Sequence, residues 1–218
     1  INEAQHHYEL EAVYGGGNLA PYTGTGGLPV SMSGGYVNDV FGGGLGTSAV
    51  VTGNTAVNVS GGSVTHDIYG GGSEAQVTGG TSVTLSGTGA VSNDIYGGGK
   101  EADVQQAVTV QLDGGTVGRD VYGGGALAQT NTSYASGDTP ATIVNLNGAT
   151  VTGNVYGGGL GQLAVAGSAG TPAVYYSDVA EYNADKGTSL TSEEFALLTE
   201  EQKTKTPAVA AVAAVSAV

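Results

Sequence analysis

The chain has 218 residues, of which 41 are glycine, and it contains neither cysteine nor tryptophan. Its 5 basic and 19 acidic residues give a net charge of −14 at pH 7, and such a surface repels phosphate backbones and anionic lipids. We therefore expect no nucleic-acid partner and, without an 18-residue apolar span, no membrane insertion. The lack of cysteine excludes disulfides and thiolate metal sites.

Residues 1–27 form an irregular first region. The segment Tyr8-Glu9-Leu10-Glu11-Ala12-Val13 alternates between polar and apolar side chains, which predicts a strand. Residues 18–27 contain Pro21 and several glycines, which predicts a loop. We interpret residues 1–27 as an imperfect first coil, or a cap, of the repeats that follow.

A short motif recurs through residues 28–160: an aspartate or asparagine, an aliphatic residue, an aromatic ring and three glycines. The segment Asp94-Ile95-Tyr96-Gly97-Gly98-Gly99 is typical, and a degenerate copy precedes the array at Ala12-Val13-Tyr14-Gly15-Gly16-Gly17. A regular period of this length is the signature of a solenoid, in which each repeat packs only on its neighbours. The aromatic positions are separated by 27, 28, 27, 26 and 34 residues and are Tyr14, Phe41, Tyr69, Tyr96, Tyr122 and Tyr156.

Apolar residues recur at fixed places within each repeat and line up in columns. Two columns alternate along a predicted strand, a glycine-containing turn follows, and two more columns precede the aromatic ring. The pattern predicts an all-β fold, a right-handed parallel β-helix of about five to six coils with three short strands per coil. The columns are Val30, Val57, Val83, Val110 and Val144; Met32, Val59, Leu85, Leu112 and Leu146; Val37, Val64, Val91, Val117 and Val151; and Val40, Ile68, Ile95, Val121 and Val155.

Residues 161–206 interrupt the repeats. Within them, Thr191 and Glu194 have the spacing of a capping box, which marks the start of a helix. We predict one inserted α-helix near residues 192–203. We expect it to pack on the solenoid through its apolar side chains, Phe195 and Leu198.

Residues 207–218 contain only proline, alanine, valine and serine. Left free, an apolar segment of this kind would be an exposed edge, which natural proteins avoid. We predict that it forms a final strand or the start of a further coil, and pairing with a partner is the alternative.

The aromatic column is the first candidate site. An exposed stripe of rings could stack on sugar rings, whereas a ladder of rings would stabilise the coils by about 0.5–1.5 kcal/mol per pair. Phe41 replaces tyrosine without disturbing the motif, which favours the structural interpretation. The residues that would bind a ligand in the first interpretation are Tyr69, Tyr96, Tyr122 and Tyr156.

The acidic column is the second candidate site. Carboxylates one coil apart repel each other by about 1 kcal/mol in water, and by several at a lower dielectric. Hydrogen bonds from backbone N–H groups would offset this, and Asn154 in the last copy favours that interpretation because Asp and Asn are interchangeable in such turns. The alternative is Ca²⁺ held between coils, although the glycine-rich nonapeptide of calcium-binding β-helices is missing. The calcium ligands would be Asp39, Asp67, Asp94 and Asp120, and no other cofactor is expected.

We predict no catalytic residue. Arg119 is the only arginine and lies beside Asp120. β-Helical enzymes that cleave acidic polysaccharides combine a basic residue with carboxylates and a metal, but we favour a surface charge pair here. His6 and His7 predict a solvated terminus, and His66 is too distant in sequence to complete a metal site with them.

The repeats resemble a known group of proteins. The segment Val13-Tyr14-Gly15-Gly16-Gly17-Asn18 and the four Asp-(Val/Ile)-(Tyr/Phe)-Gly-Gly-Gly copies are similar to the glycine-rich repeats of large surface proteins of anaerobic gut bacteria, over residues 8–160. Those proteins are described as parallel β-helices that are adhesin-like or autotransporter-like. The resemblance implies an exported, extended surface protein, and it transfers no catalytic residue because that family has no agreed site.

From these observations we expect a non-enzymatic, extracellular or cell-surface solenoid, either an adhesin segment or a subunit of a surface fibre. The expected partners are further copies, in a homo-oligomer or an end-to-end fibre, and a host glycan or surface protein. The alternative is a carbohydrate-binding or lyase-like carbohydrate-active β-helix that uses the tyrosine face or residues 161–206.

Overall fold

The computed structural model describes residues 9–24, 26–133, 141–162, 174–175, 179–199 and 204–206. The chain divides into two compact units, Ile1–Gln162 together with Val218, and Leu163–Ala217. The described residues form fifteen strands and two helices. Strands dominate the first unit because its sequence is rich in valine and threonine, whose branched side chains favour extended backbone.

The strands of the first unit are β1 (Glu9–Tyr14), β2 (Leu28–Phe41), β3 (Thr55–Val64), β4 (Ile68–Tyr69), β5 (Thr81–Leu85), β6 (Ala90–Val91), β7 (Ile95–Tyr96), β8 (Val108–Leu112), β9 (Thr116–Val117), β10 (Val121–Tyr122), β11 (Thr142–Leu146), β12 (Thr150–Val151) and β13 (Val155–Tyr156). The second unit contributes β14 (Val174–Tyr175), α1 (Val179–Lys186), α2 (Ser192–Ala196) and β15 (Thr204–Thr206).

Every strand of the first unit pairs in parallel with its counterpart one repeat away, so the predicted all-β parallel solenoid is confirmed. The long strands stack in the order β11-β8-β5-β3-β2, and the strands that carry the aromatic rings stack as β2-β4-β7-β10-β13. The register from β3 to β8 is residue for residue, with Val57 on Val83 and Val83 on Val110, whereas the β2–β3 pairing shifts after Met32 and is regular again from Tyr36. Residues of one sequence column are therefore neighbours in space.

The number of turns is slightly smaller than predicted. Four successive pairings of the long strands, β2–β3, β3–β5, β5–β8 and β8–β11, make about four turns. Among its described residues, the first region adds the single strand β1, which pairs in parallel with β2. Each coil also has a fourth place of contact, where isolated parallel bridges join Tyr22, Val51, Val77, Val104 and Thr130.

The interior is aliphatic. Along β5 and β8 the side chains alternate between buried and half-buried positions, so that the valine and leucine columns fill the space inside the coils. Two threonines also lie inside: Thr55 and Thr81 are buried, and each Oγ1 donates a 2.6 Å hydrogen bond to a glycine carbonyl, of Gly70 and Gly97 respectively. The buried hydroxyls are therefore satisfied.

Glycine has two different roles in each coil. Gly62, near the end of β3, and Gly115, between β8 and β9, adopt positive φ, 85° and 80°, which suits a residue without Cβ. The glycines of the triplets do not have positive φ. A Cβ built on Gly71 would lie 2.8 Å from the backbone nitrogen of Gly99 in the next coil, whereas a Cβ on the third glycine, Gly72, would meet the Ala75 carbonyl of its own coil first. The first two glycines of a triplet are therefore required by the approach of the neighbouring coil, and the third by a tight turn in its own coil.

In the second unit, the predicted helix is present but shorter than expected. The capping box is present, since Thr191 Oγ1 accepts from the Glu194 N–H and the Glu194 carboxylate accepts from the Thr191 N–H, but α2 ends at Ala196 rather than near residue 203. No residue of α2 is buried, and a short helix gains little stability without packing on other elements. Residues 200–203 lie outside the described residues.

The sequence analysis also missed the first helix, although Asp178 and Glu181 have the spacing that marks a helix N-terminus just before and within α1. Phe195 of α2 packs edge-on against Tyr182 of α1, with ring centroids 5.5 Å apart. The side chain of Asn183 holds the turn between the helices, since Nδ2 donates to the Leu190 carbonyl and Oδ1 accepts from the Leu190 N–H. The predicted packing of a helix on the solenoid stays a prediction, and the predicted strand at residues 207–218 lies outside the described residues.

Candidate functional site: the aromatic and acidic columns

The aromatic column forms one continuous stack. Successive ring centroids from Tyr14 to Tyr156 are 4.7 to 5.0 Å apart, and successive ring planes differ by only 5° to 12°. The parallel register causes this spacing, because strands in a sheet lie about 4.8 Å apart. The rings therefore repeat at the distance of the backbone ladder.

The ring faces of the inner tyrosines are covered by their neighbours. Phe41, Tyr69, Tyr96 and Tyr122 form a buried cluster with Ala126, and Tyr122 is only 7% exposed, whereas Tyr156 at the end of the column is 44% exposed. A sugar stacks on the face of a ring, so Tyr69, Tyr96 and Tyr122 do not offer the exposed stripe that a ligand-binding column needs. Of the four predicted ligand-binding residues, Tyr156 alone has substantial exposed area.

The acidic column is tied into the same structure by hydrogen bonds. In each inner copy, carboxylate Oδ1 accepts from the backbone N–H of its counterpart in the next coil. These bonds run from Asp67 to Asp39, Asp94 to Asp67, Asp120 to Asp94 and Asn154 to Asp120, at 3.1, 2.9, 2.8 and 2.6 Å. The second oxygen, Oδ2, accepts from the tyrosine hydroxyl two residues later, at Asp67, Asp94 and Asp120.

The pKa values of Asp67 and Asp120 are shifted in opposite directions. Burial raises the pKa of Asp67 above its usual value near 3.8, against the opposing effect of the Asp94 N–H, and the neighbouring carboxylates Asp94 and Asp39 raise it further. At Asp120 the backbone N–H of Asn154 lowers the pKa of the carboxyl below 3.8. The difference arises because burial is the strongest influence on the pKa of Asp67, whereas at Asp120 the hydrogen bond from the Asn154 N–H outweighs burial; the carboxylates on each side of Asp67 add to its shift.

The calcium interpretation stays a prediction. Among the described residues there is no group of three or more His, Cys, Asp or Glu side chains placed to hold a metal ion. Both oxygens of Asp67, Asp94 and Asp120 already accept hydrogen bonds from the protein. The repulsion between carboxylates is thus offset by donors within the chain.

The same carboxylates affect the tyrosines. Burial, and then the negative charge of the neighbouring aspartates, raises the pKa of Tyr69 and Tyr96 well above the usual value of 10.0. For Tyr122 the same two causes raise the pKa to about 12. The hydroxyls therefore remain protonated as hydrogen-bond donors at neutral pH.

Two basic side chains beside the acidic column, His66 and Arg119, contact the preceding coil. His66 Nδ1 lies 3.6 Å from Asp39 Oδ2, and Asp39 is the carboxylate whose own coil carries Phe41 and so lacks a ring hydroxyl. Arg119 Nη1 lies 3.9 Å from Asp94 Oδ2. The ion pair of Arg119 is thus formed with Asp94 of the coil before, not with its sequence neighbour Asp120 as predicted.

A groove of about 510 Å³ lies beside the aromatic column at its N-terminal end. Its polar lining comes from Glu11, Asp39, Ser73 and Lys100, and the rings of Tyr14 and Phe41 form an aromatic edge. The sequence analysis missed this groove because the position after the triple glycine varies from coil to coil: Leu45, Ser73, Lys100, Ala126 and Leu160. A position without a repeated residue type gives no column to recognise.

No protein-family model matches the chain, and neither a curated protein nor a solved structure is significantly similar to it. Within the part of the chain that the structure describes, no helix has the length and apolar character needed to cross a membrane.

Proposed function

We propose that this chain is a non-enzymatic structural or adhesive solenoid of the cell surface or extracellular space. The observation that carries the proposal is the use of the column carboxylates and hydroxyls: those of Asp67, Asp94 and Asp120 bind backbone amides and tyrosine hydroxyls. A general acid or base must be able to reach a substrate proton. Groups engaged inside a ladder serve stability instead.

An adhesive role places the partner on the outer surface of the coils. The net charge of −14 disfavours nucleic acid and anionic lipid as partners, and a host glycan or a host surface protein fits the chemistry better. The test is binding of the purified chain to glycan arrays and to immobilised host surface proteins, with polysaccharide cleavage measured in parallel. We expect binding without turnover, and cleavage of any polysaccharide would contradict a purely structural or adhesive role.

A carbohydrate-binding function is the second candidate, and the groove beside Tyr14 and Phe41 favours it. Carboxylates and an ammonium group can hydrogen-bond to sugar hydroxyls, and the neighbouring rings add apolar contact area. If the groove binds a glycan, Lys100→Ala and Glu11→Gln should weaken binding while leaving the melting temperature unchanged. As a matched control, Glu101→Gln changes one exposed charge outside the groove lining. Equal effects of all three substitutions would exclude the groove as the site.

A further inference from the structure

The last coil ends in an apolar face. Val155 is 41% exposed, whereas Val121, the residue on which it stacks, is fully buried. Among the described residues, nothing lies within 4 Å of a Cβ built on Gly157 or Gly158, although the equivalent atoms in inner coils meet the backbone of the following coil. Repeat proteins normally end in polar capping repeats, and this end is not polar.

The first coil also ends in an apolar face. Strand β1 pairs along one edge with β2, and Leu10 on β1 is 56% exposed. Beside it, an opening of about 410 Å³ is lined by core residues that include Val13, Val30 and Met32. The core is therefore open at both ends of the described solenoid.

The two ends match along the side of the coil formed by β1, β12 and β13. Through the successive registers, Leu10 belongs to the column that ends in Val151. Val13 likewise belongs to the column of Val155, and Tyr14 to the column of Tyr156. These three columns are thus apolar at both ends. The long-strand column from Val30 to Val144 has one member fewer, so β11 of one copy and β2 of the next would not meet when β13 stacks on β1.

The acidic column is neutral at both ends. Its inner members are aspartates, but the position on β1 that pairs with Asp39 is Ala12, and the last position is Asn154. Two coils that meet at Asn154 and Ala12 would bring no carboxylate next to another. The repulsion present at each inner step is therefore absent at this one step.

We propose that the solenoid joins head to tail with further copies of itself, and that strands β12 and β13 of one copy pair in parallel with β1 of the next. The inner coils define the hydrogen bonds: Val40 N–H donates to Asp67 O, and Gly42 N–H donates to Tyr69 O. The equivalent bonds across the joint run from Val155 N–H to Ala12 O and from Gly157 N–H to Tyr14 O. The side-chain oxygen of Asn154 accepts from the Ala12 N–H, and Tyr156 stacks on Tyr14.

A joint of this kind is heterologous, so repeated addition gives a filament rather than a closed dimer. The inference rests on the proposed structural role and identifies the partner as a second copy of the chain. The head-to-tail joint and the adhesive role can be tested separately, because a monomeric chain that binds glycans or host proteins would still be an adhesin. A chain that assembles but binds nothing would be a structural fibre.

The experiment compares the length of particles formed by the full chain, by electron microscopy and sedimentation velocity over a range of concentrations. The wild-type chain should form rods that lengthen with concentration. The double variant Gly157→Ala/Gly158→Ala should stay monomeric, with association weakened about tenfold or more, because the new methyl groups would meet the next copy's backbone as they would in inner coils. Glu101→Ala is the control, since this exposed residue lies on an inner coil, outside the strands of the joint and the opening beside β1.

A second variant tests the joint by charge. Ala12→Asp/Asn154→Asp restores the aspartate pattern of the inner coils but places two carboxylates across the joint. Association should weaken about fivefold or more at low salt and recover at high salt. A monomeric wild-type chain at all concentrations would overturn the proposal. Rods of unchanged length in both double variants would overturn it as well.

Discussion

The hydroxyl of Tyr69 donates a 3.1 Å hydrogen bond to Oδ2 of Asp67, and Oδ1 of the same carboxylate accepts a 2.9 Å bond from the N–H of Asp94 in the next coil. One carboxylate thus connects a ring of its own coil to the backbone of the following coil. The same connection recurs at Asp94 and Asp120. The aromatic and acidic columns are therefore a single hydrogen-bonded structure.

Removing the Tyr69 hydroxyl should lower the stability of the fold only slightly, whereas removing the whole ring should lower it much more. We expect Tyr69→Phe to lower the free energy of unfolding by about 0.5–1.5 kcal/mol, the net value of one hydrogen bond. Phe41 already shows that a ring without a hydroxyl fits the stack, with centroids 4.7 Å apart. Tyr69→Ala should cost about 3–5 kcal/mol because it leaves a cavity between two rings. Urea unfolding of the two variants measures both, and equal losses would show that the ring contributes nothing beyond its hydroxyl.

The tyrosines should make the fold sensitive to alkali. The folded state holds the phenolic protons of Tyr69, Tyr96 and Tyr122 more tightly than the unfolded chain, whose tyrosines lose theirs near pH 10.0. Their contribution to stability is therefore intact below pH 10 and is lost as the pH rises above it. Each tyrosine that stays protonated in the folded state costs about 1.4 kcal/mol of stability per pH unit in that range.

Ultraviolet absorbance of tyrosinate, followed together with circular dichroism, tests this prediction. Exposed tyrosines should ionise first without loss of structure, and the ladder tyrosines should ionise only together with unfolding. Ionisation of all tyrosines in one step near pH 10, with the fold intact, would contradict the buried ladder.

Two aspartates of the acidic column should have pKa values on opposite sides of the usual value. Asp67 has a raised pKa and Asp120 a lowered one relative to 3.8. The stabilising contribution of Asp67 is therefore present below pH 3.8 and is lost as the pH rises through its folded pKa. That of Asp120 is present above pH 3.8 and is lost as the pH falls through its folded pKa. Carboxyl chemical shifts in an NMR titration should show Asp67 titrating above Asp120, and the reverse order would refute the account of burial against hydrogen bonding.

The fold could be predicted from sequence because a solenoid repeats its local pattern. The valine, tyrosine and aspartate columns were visible as spacings, and the parallel register places their members on one another, as with Tyr69 and Tyr96. The burial of Thr55 and Thr81 could not be predicted in the same way. Thr55 and Thr81 share a column with Val108, and a polar residue can lie inside only because a glycine carbonyl is within reach, which a spacing does not reveal.

Other features depend on distances that no sequence pattern contains. The triple glycines were recognisable as a repeated motif, but the reason for them, the close approach of backbone atoms to Gly71 and Gly72, was not. The pairing of Arg119 with Asp94 crosses between coils, whereas the sequence shows only that Arg119 adjoins Asp120. The length of α2 depends on packing, and its capping box determines only where it begins.

The close approach of the triple glycines leads to the last prediction. Gly71 does not have a positive φ, so alanine fits its own backbone, but the new methyl group would lie 2.8 Å from the nitrogen and 2.9 Å from the Cα of Gly99. We expect Gly71→Ala to lower the free energy of unfolding by about 1–3 kcal/mol, the usual cost of overpacking. Gly34→Ala, with open space around its Cβ, should instead gain about 0.4–1 kcal/mol because the unfolded chain loses conformational freedom.

Urea unfolding followed by circular dichroism measures both variants under the same conditions. The two substitutions alter the unfolded chain equally, so the difference between them isolates the contact between coils. If Gly71→Ala were as stable as Gly34→Ala, the triplets would be tolerant turns and neighbouring coils would have room for a side chain. If both variants lost stability equally, glycine would be needed for its backbone freedom and not for the close stacking of the coils.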